Sequence, residues 1–155
     1  MTEQLYKVLR REGDALISCH GGTGHWTLNR WRSVSGELNP CKHGLHLCRE
    51  GDLVRWLGEV ICTAEYSGER IDCDDKVVVR RARITSVCEH WTERTRRLFA
   101  VDCTRLAANR YTEEDQRERL HAVLDVMVAI EKLETAILMR YLAGEEGPFV
   151  EEGAP

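Results

Sequence analysis

Apolar residues alternate with polar ones over several short stretches of the N-terminal part of the chain. In the C-terminal part they recur every third or fourth position. Alternation sends successive side chains to opposite faces of a strand, and the three-to-four spacing draws a stripe along a helix. Leu5-Tyr6-Lys7-Val8-Leu9 reads as a strand, and Gly13-Asp14 as the turn into a second strand at Ala15-Leu16-Ile17. Gly21-Gly22-Thr23-Gly24 interrupts regular structure before Trp26-Thr27-Leu28. It is not a phosphate loop, because no Lys-Ser/Thr follows and no helical pattern opens after it. Ser35-Gly36 and Asn39-Pro40 are further turn signals. Gly44-Leu45-His46-Leu47-Cys48 is expected to be a strand, and Asp52 to Leu57 a short helix closed by Gly58.

Two longer strands follow. Glu59 to Tyr66 alternates, with Val60, Cys62, Ala64 and Tyr66 on one side. Ser67-Gly68 predicts a turn, and Lys76 to Ile84 is rich in β-branched residues. On it Val78, Ala82 and Ile84 share a face with Arg80, while Arg81 and Arg83 point the other way. After His90-Trp91 the period changes, and Leu98, Phe99, Val101, Leu106 and Ala107 fit a helix begun near Thr92. Thr112 is a suitable N-cap, with Asp115 in the reciprocal position, for a long helix to Ala143 that stops at Gly144. Leu120, Val123, Val126, Met127, Ile130, Leu133, Ile137, Leu138 and Tyr141 form one broad stripe on it. Val123, Met127, Ile130, Ile137 and Tyr141 also follow a four-three spacing suited to a helix–helix interface.

The expected class is therefore α+β: a mixed or mostly antiparallel sheet with a short helix, followed by a C-terminal helical hairpin with one long amphipathic helix. The organisation this implies is a β-rich domain over 1–90, a helical extension over 91–143 and an acidic flexible tail over 144–155. With 43% hydrophobic and 31% charged residues among 155, the chain can bury a core. No run of about eighteen apolar residues is present, so no membrane span is expected. The N-terminus lacks the basic and apolar regions of a signal peptide. Seven cysteines, an odd number at irregular spacing, are expected to be reduced thiols of a cytoplasmic protein.

The net charge of −4 comes down to Glu145, Glu146, Glu151 and Glu152 near the C-terminus. Lys76 to Arg110 holds a local excess of bases over Glu89, Glu93 and Asp102. No aromatic residue interleaves with the bases from Lys76 to Arg83 in sequence as a nucleic-acid stacking surface would need, so nucleic acid is not the expected partner.

The densest chemistry lies in Cys41-Lys42-His43-Gly44-Leu45-His46-Leu47-Cys48. Cys41, His43, His46 and Cys48 are zinc-ligand types, and one ion could gather them if the chain folds back at Gly44. On a straight strand Cys41 and His43 would face away from His46 and Cys48, and no second pair of ligands matches them. A Cys–His nucleophilic dyad has candidates in Cys48, Cys62 or Cys103 with His43, His46 or His90. Trp31, flanked by Arg30 and Arg32, is the tryptophan to inspect for exposure.

Tyr6-Lys7-Val8-Leu9, then Cys41 with Gly44-Leu45-His46-Leu47-Cys48, Asp52-Leu53, Trp56-Leu57, Glu65-Tyr66-Ser67-Gly68-Glu69 and Lys76 to Arg81 resemble a family of small proteins of unknown function. That family is typical of actinobacteria, other bacteria and their phages. Trp91, Glu93-Arg94-Thr95, Arg97-Leu98-Phe99-Ala100 and Asp102-Cys103 resemble the helical extension of some members. The strand order is also similar to the ADP-ribosyltransferase fold. That resemblance implies an NAD-binding domain, active or degenerate, with His46, Glu65 and Tyr66 as the cofactor-contacting residues. The Ser-Thr-Ser strand and the Glu-rich catalytic loop of that fold are missing here. The expected function is a non-catalytic interaction protein, a phage or bacterial accessory factor that contacts another protein or itself through the C-terminal helix. An NAD-binding domain and a small zinc-binding regulator are the alternatives.

Overall fold

Antiparallel pairing organises the first part of the chain, as expected from its alternation. The computed structural model describes residues 3–19, 24–110, 119–145, 147, 149 and 150, and the backbone alone for 107–110, 119–129 and 131. Two compact units result, one over 1–88 and one over 89–155. The break falls two residues before the expected one.

In the first unit, β1 (Leu5–Glu12) turns at Gly13-Asp14 into β2 (Ala15–Ser18), followed by the short strands β3 (His25–Trp26), β4 (Arg32–Ser33) and β5 (Leu45–Leu47). A 3-10 helix spans Glu50–Arg55, ending earlier than Gly58, and the long strands β6 (Val60–Asp72) and β7 (Val77–Val87) complete the sheet. The order is β3-β2-β1-β6-β7-β4, with β5 pairing β7 beside β4 on the same edge. All named pairs are antiparallel. A bridge between Tyr6 and Cys48 then links the end of β5 back to β1 through two 2.8 Å backbone hydrogen bonds. The ladder β1-β6-β7-β5 thereby closes on itself and encloses an interior face, while β3 and β4 remain terminal strands.

That interior face is the core. Leu5 and Leu9 of β1 pack with Leu45, Leu47, Val60, Cys62, Ala64, Val77, Val79, Ala82 and Ile84. Each such aliphatic side chain contributes about 1.5–3 kcal/mol on burial. Gly44 lets β5 approach β7: its φ is +139°, and a Cβ there would come within 2.3 Å of Val78 Cγ1. Ser67-Gly68 is not the turn the sequence suggests. β6 continues through it with a shift of register, Gly68 taking φ +82° in the bulge, and the chain turns at 73–76 instead.

The second unit holds α1 (Glu93–Arg110) and α2 (Arg119–Leu142). Thr92 caps α1 reciprocally: its Oγ1 accepts from Thr95 N at 3.2 Å, and Thr92 N donates to Thr95 Oγ1 at 2.8 Å. α2 stops where expected, with Gly144 at φ +84°. The expected cap at Thr112 lies outside the described residues. In the stretch expected to be a flexible tail, the described residues Phe149 and Val150 are anchored to α1. Phe149 N and Val150 N donate to the fully buried Asp102 carboxylate at 2.8 and 3.3 Å, beside the Tyr141 hydroxyl at 2.7 Å. Phe149 packs edge-on against Tyr141, 4.9 Å between centroids.

Candidate functional site

Alternation along β1 aims Leu5, Lys7 and Leu9 to the same side, and their partners in register are Ala64, Cys62 and Val60. Lys7 thus occupies a position where the pattern calls for an apolar residue. It is only 9% exposed. Its ammonium donates to His46 O at 2.8 Å and lies 5.3 Å from the centroid of the Trp26 ring. Among the described residues it makes no ion pair with a carboxylate. Burial, reinforced by the Arg32 charge, lowers its pKa to about 8.

A cavity of about 520 Å³ opens onto this amine. Arg32 of β4 reaches it with its guanidinium 4.9 Å from the Trp26 centroid and donates to His25 O. Trp26 is fixed from the other side by a 2.8 Å hydrogen bond from Nε1 to Ser18 Oγ. Lys42 and Lys76 also line the cavity. Lys76 is paired with Asp75 at 3.0 Å and sits over Trp56. No aspartate or glutamate is among the described lining residues, so the cavity presents cations, two tryptophans and thiols. Cys48 is buried there, and burial pushes its thiol up to about 12, so it stays protonated. Burial, with Lys7 and Lys76 nearby, pushes the His46 imidazole below its ordinary pKa and keeps it neutral at pH 7.

The sequence-predicted zinc residues Cys41, His43, His46 and Cys48 all line this cavity. They do not gather as ligands: among the described residues no group of three or more His, Cys, Asp or Glu side chains could hold a metal. His43 Nε2 is engaged by Ser35 O at 2.6 Å, and His46 Nε2 faces the backbone N of Cys41 at 3.4 Å. Cys41 takes φ +68° in the turn before Gly44. The chain does fold back there, but its imidazoles are turned to backbone partners.

Of the NAD-contacting set, only His46 reaches the cavity. Glu65 pairs with Arg83, Nε to Oε2 at 2.8 Å, and Tyr66 stands 40% exposed against Arg70. The interface set on α2 also needs correction. Ile137 and Tyr141 are buried within the helical unit, where Tyr141 meets Phe99 at 6.2 Å between centroids, so they are core rather than free surface. Ile130 is half-buried, and the side chains of Val123 and Met127 lie outside the described residues.

Of the nine bases in the segment, Arg80 pairs with Glu69, Arg83 with Glu65 and Arg97 with Glu93, acids distant in sequence or one helical turn away. An aromatic does stand among its bases, supplied through space. Trp31 lies 4.7 Å from Arg81 and 4.8 Å from Arg83, ring centroid to guanidinium carbon.

No protein-family model matches the chain, and neither a curated protein nor a solved structure matches it. The resemblances drawn from sequence therefore rest on their residues alone. No helix among the described residues is long and apolar enough to cross a membrane.

Proposed function

We propose that the β-rich unit is a binding domain for a small anionic molecule, held in the cavity by Lys7 and Arg32 against Trp26. One observation carries this reading: among the described residues, a buried amine has no carboxylate partner and faces a cavity lined by three further cations and by no acid. A desolvated, unpaired ammonium is costly, and an anion entering beside it offsets that cost. Calorimetric titration of the whole chain with inorganic phosphate, malonate and NAD tests the reading, because NAD brings phosphates to the same cations. Saturable binding is expected, weakened about tenfold or more in Arg32→Gln, as loss of one charge-assisted hydrogen bond implies. Absence of heat with all three anions would overturn it.

A second reading concerns the helical unit, as an accessory module acting through protein contacts. Val101 on α1 and Leu133 on α2 are 44% and 39% exposed, large apolar groups left uncovered by the described residues. Light scattering tests the simplest partner, a second copy: a dimer that Leu133→Asp dissociates supports it, and a monomer at high concentration sinks it.

A further inference from the structure

We propose that Lys7 is a carbonyl-capturing amine, whose Nζ forms an imine with the keto carbon of a 2-oxo acid while the acid's carboxylate is held by Arg32. The inference deepens the anion-site reading and rests on it. What adds the carbonyl is the state of the amine. Among the described residues Lys7 has one hydrogen-bond partner, the His46 carbonyl, which holds Nζ at 2.8 Å at the cavity wall. A carboxylate partner would hold the proton on nitrogen, and among the described residues none is present. The Trp26 ring and the interior face of β1 desolvate the group, and Arg32 adds like charge beside it. Desolvation and a neighbouring cation are the two conditions that free a lysine lone pair near neutral pH. With the Lys7 pKa at about 8, roughly a tenth of the molecules carry the neutral amine at pH 7.

The step balances without an oxidant or reductant. The Nζ lone pair bonds to the keto carbon, and the carbonyl π pair moves to oxygen. Two protons pass from nitrogen to that oxygen, which leaves as water, and a C=N bond remains. The amine and the 2-oxo acid are consumed one for one, and the carboxylate is unchanged.

Only four lysines exist in the chain, Lys7, Lys42, Lys76 and Lys132, so trapping can be read site by site. The native chain is incubated with pyruvate or 2-oxoglutarate, the imine is reduced with borohydride, and peptides are mapped by mass spectrometry. The expected result is one adduct at Lys7, absent in Lys7→Arg, with at least tenfold less at the other three lysines. Malonate, an anion with no keto group, should slow trapping at Lys7 in the unmutated protein, which keeps the test independent of whether a variant folds. Equal labelling of all four lysines, or undiminished trapping in folded Lys7→Arg, overturns the proposal. Malonate binding with no Lys7 adduct overturns the imine and leaves the anion site standing. No binding of malonate, phosphate or NAD and no protection overturn the anion site itself.

Discussion

Lys7 in the β-rich unit and Asp102 in the helical unit are both buried ionisable side chains, and their surroundings are opposites. The Asp102 carboxylate is fully buried and accepts from three donors, Tyr141 Oη, Phe149 N and Val150 N. Each donor would otherwise be orphaned inside the unit, so the acid pins the chain after α2 onto the helices. Lys7 has one carbonyl, an aromatic ring and an open cavity. Asp52, the other buried acid, is held by the Arg49 guanidinium at 2.9 Å and belongs with Asp102. A buried charge whose partners are complete is a structural fastener. One whose partners are incomplete, set at a cavity wall, costs stability and is explained by what can enter.

The largest expected effect follows from the completed shell. Asp102→Ala leaves two buried donors and the half-buried Phe149 N without their acceptor and should destabilise the helical unit by about 4 kcal/mol, at 1–3 kcal/mol per orphaned group. Urea unfolding followed by circular dichroism at a helix wavelength measures this, and a loss below about 1 kcal/mol would show that the carboxylate is not the fastener. Somewhat smaller is Ile137→Ala, which empties a buried position on α2 and should cost about 3 kcal/mol. Leu133→Ala on the exposed side should cost under about 0.5 kcal/mol. Similar losses from the two would mean that the stripe is not divided as described.

Lys7→Met should act in the opposite direction. Replacing an unpaired buried charge by an apolar side chain of similar length is expected to stabilise the β-rich unit by about 2 kcal/mol near pH 7 while abolishing anion binding. The sign of the pH dependence follows from burial. Lys7 titrates near 8 in the folded chain against an ordinary 10.5, so the unfolded chain binds the additional proton between those values. Its cost is full below about pH 8 and disappears towards 10.5, so this group makes the wild type gain stability as pH rises. Cys48 and Cys62, pushed up to about 12 by burial, work the other way: the folded state keeps their protons above 9 and loses stability as pH climbs through that range. Cys48, Cys19 and Arg32 face Lys7 and are shared by both proteins, so the difference between wild type and Lys7→Met isolates the lysine to first order. A variant advantage that does not shrink from pH 7 to pH 10 would sink this account.

The α+β class and most of the strands were legible because alternation and β-branched runs state which face is buried. A short helix after Cys48 and the stop at Gly144 were legible from local residue chemistry, although that helix is a 3-10 helix ending at Arg55 rather than one closed by Gly58. Lys7 was missed although its signal was present: in Leu5-x-Lys7-x-Leu9 the inward register itself carries the charge. The anchoring of Phe149 and Val150 was not legible, because nothing local in an acidic C-terminal stretch announces a buried aspartate a whole helix away in sequence. Trp31 among Arg81 and Arg83 was hidden for the same reason: β4 meets β7 only in the fold. For the cluster from Cys41 to Cys48, the spacing offered zinc-ligand types but could not reveal that backbone groups engage the imidazoles of His43 and His46.

The smallest expected effect concerns the thiols, and it tests whether the cavity mouth and the cavity wall differ as described. All seven cysteines are free, so melts with and without reductant should coincide. Cys41 is exposed at the cavity, whereas Cys48 and Cys62 are buried with thiols held protonated at pH 7.5. Alkylation depends on access and on the thiolate. Iodoacetamide at pH 7.5 should therefore modify Cys41 first, with a stability change under about 0.5 kcal/mol, as for other exposed substitutions. Cys48 and Cys62 should react only on the timescale of unfolding. Malonate bound at Lys7 and Arg32 should slow Cys41, because the cysteine lines the same cavity. Labelling of Cys48 as fast as Cys41 in the folded chain would mean that the ladder β1-β6-β7-β5 opens at its Tyr6–Cys48 bridge. Lys7 would then be an intermittently solvated surface amine, and its low pKa, its cost and its reactivity towards carbonyls would all fail together.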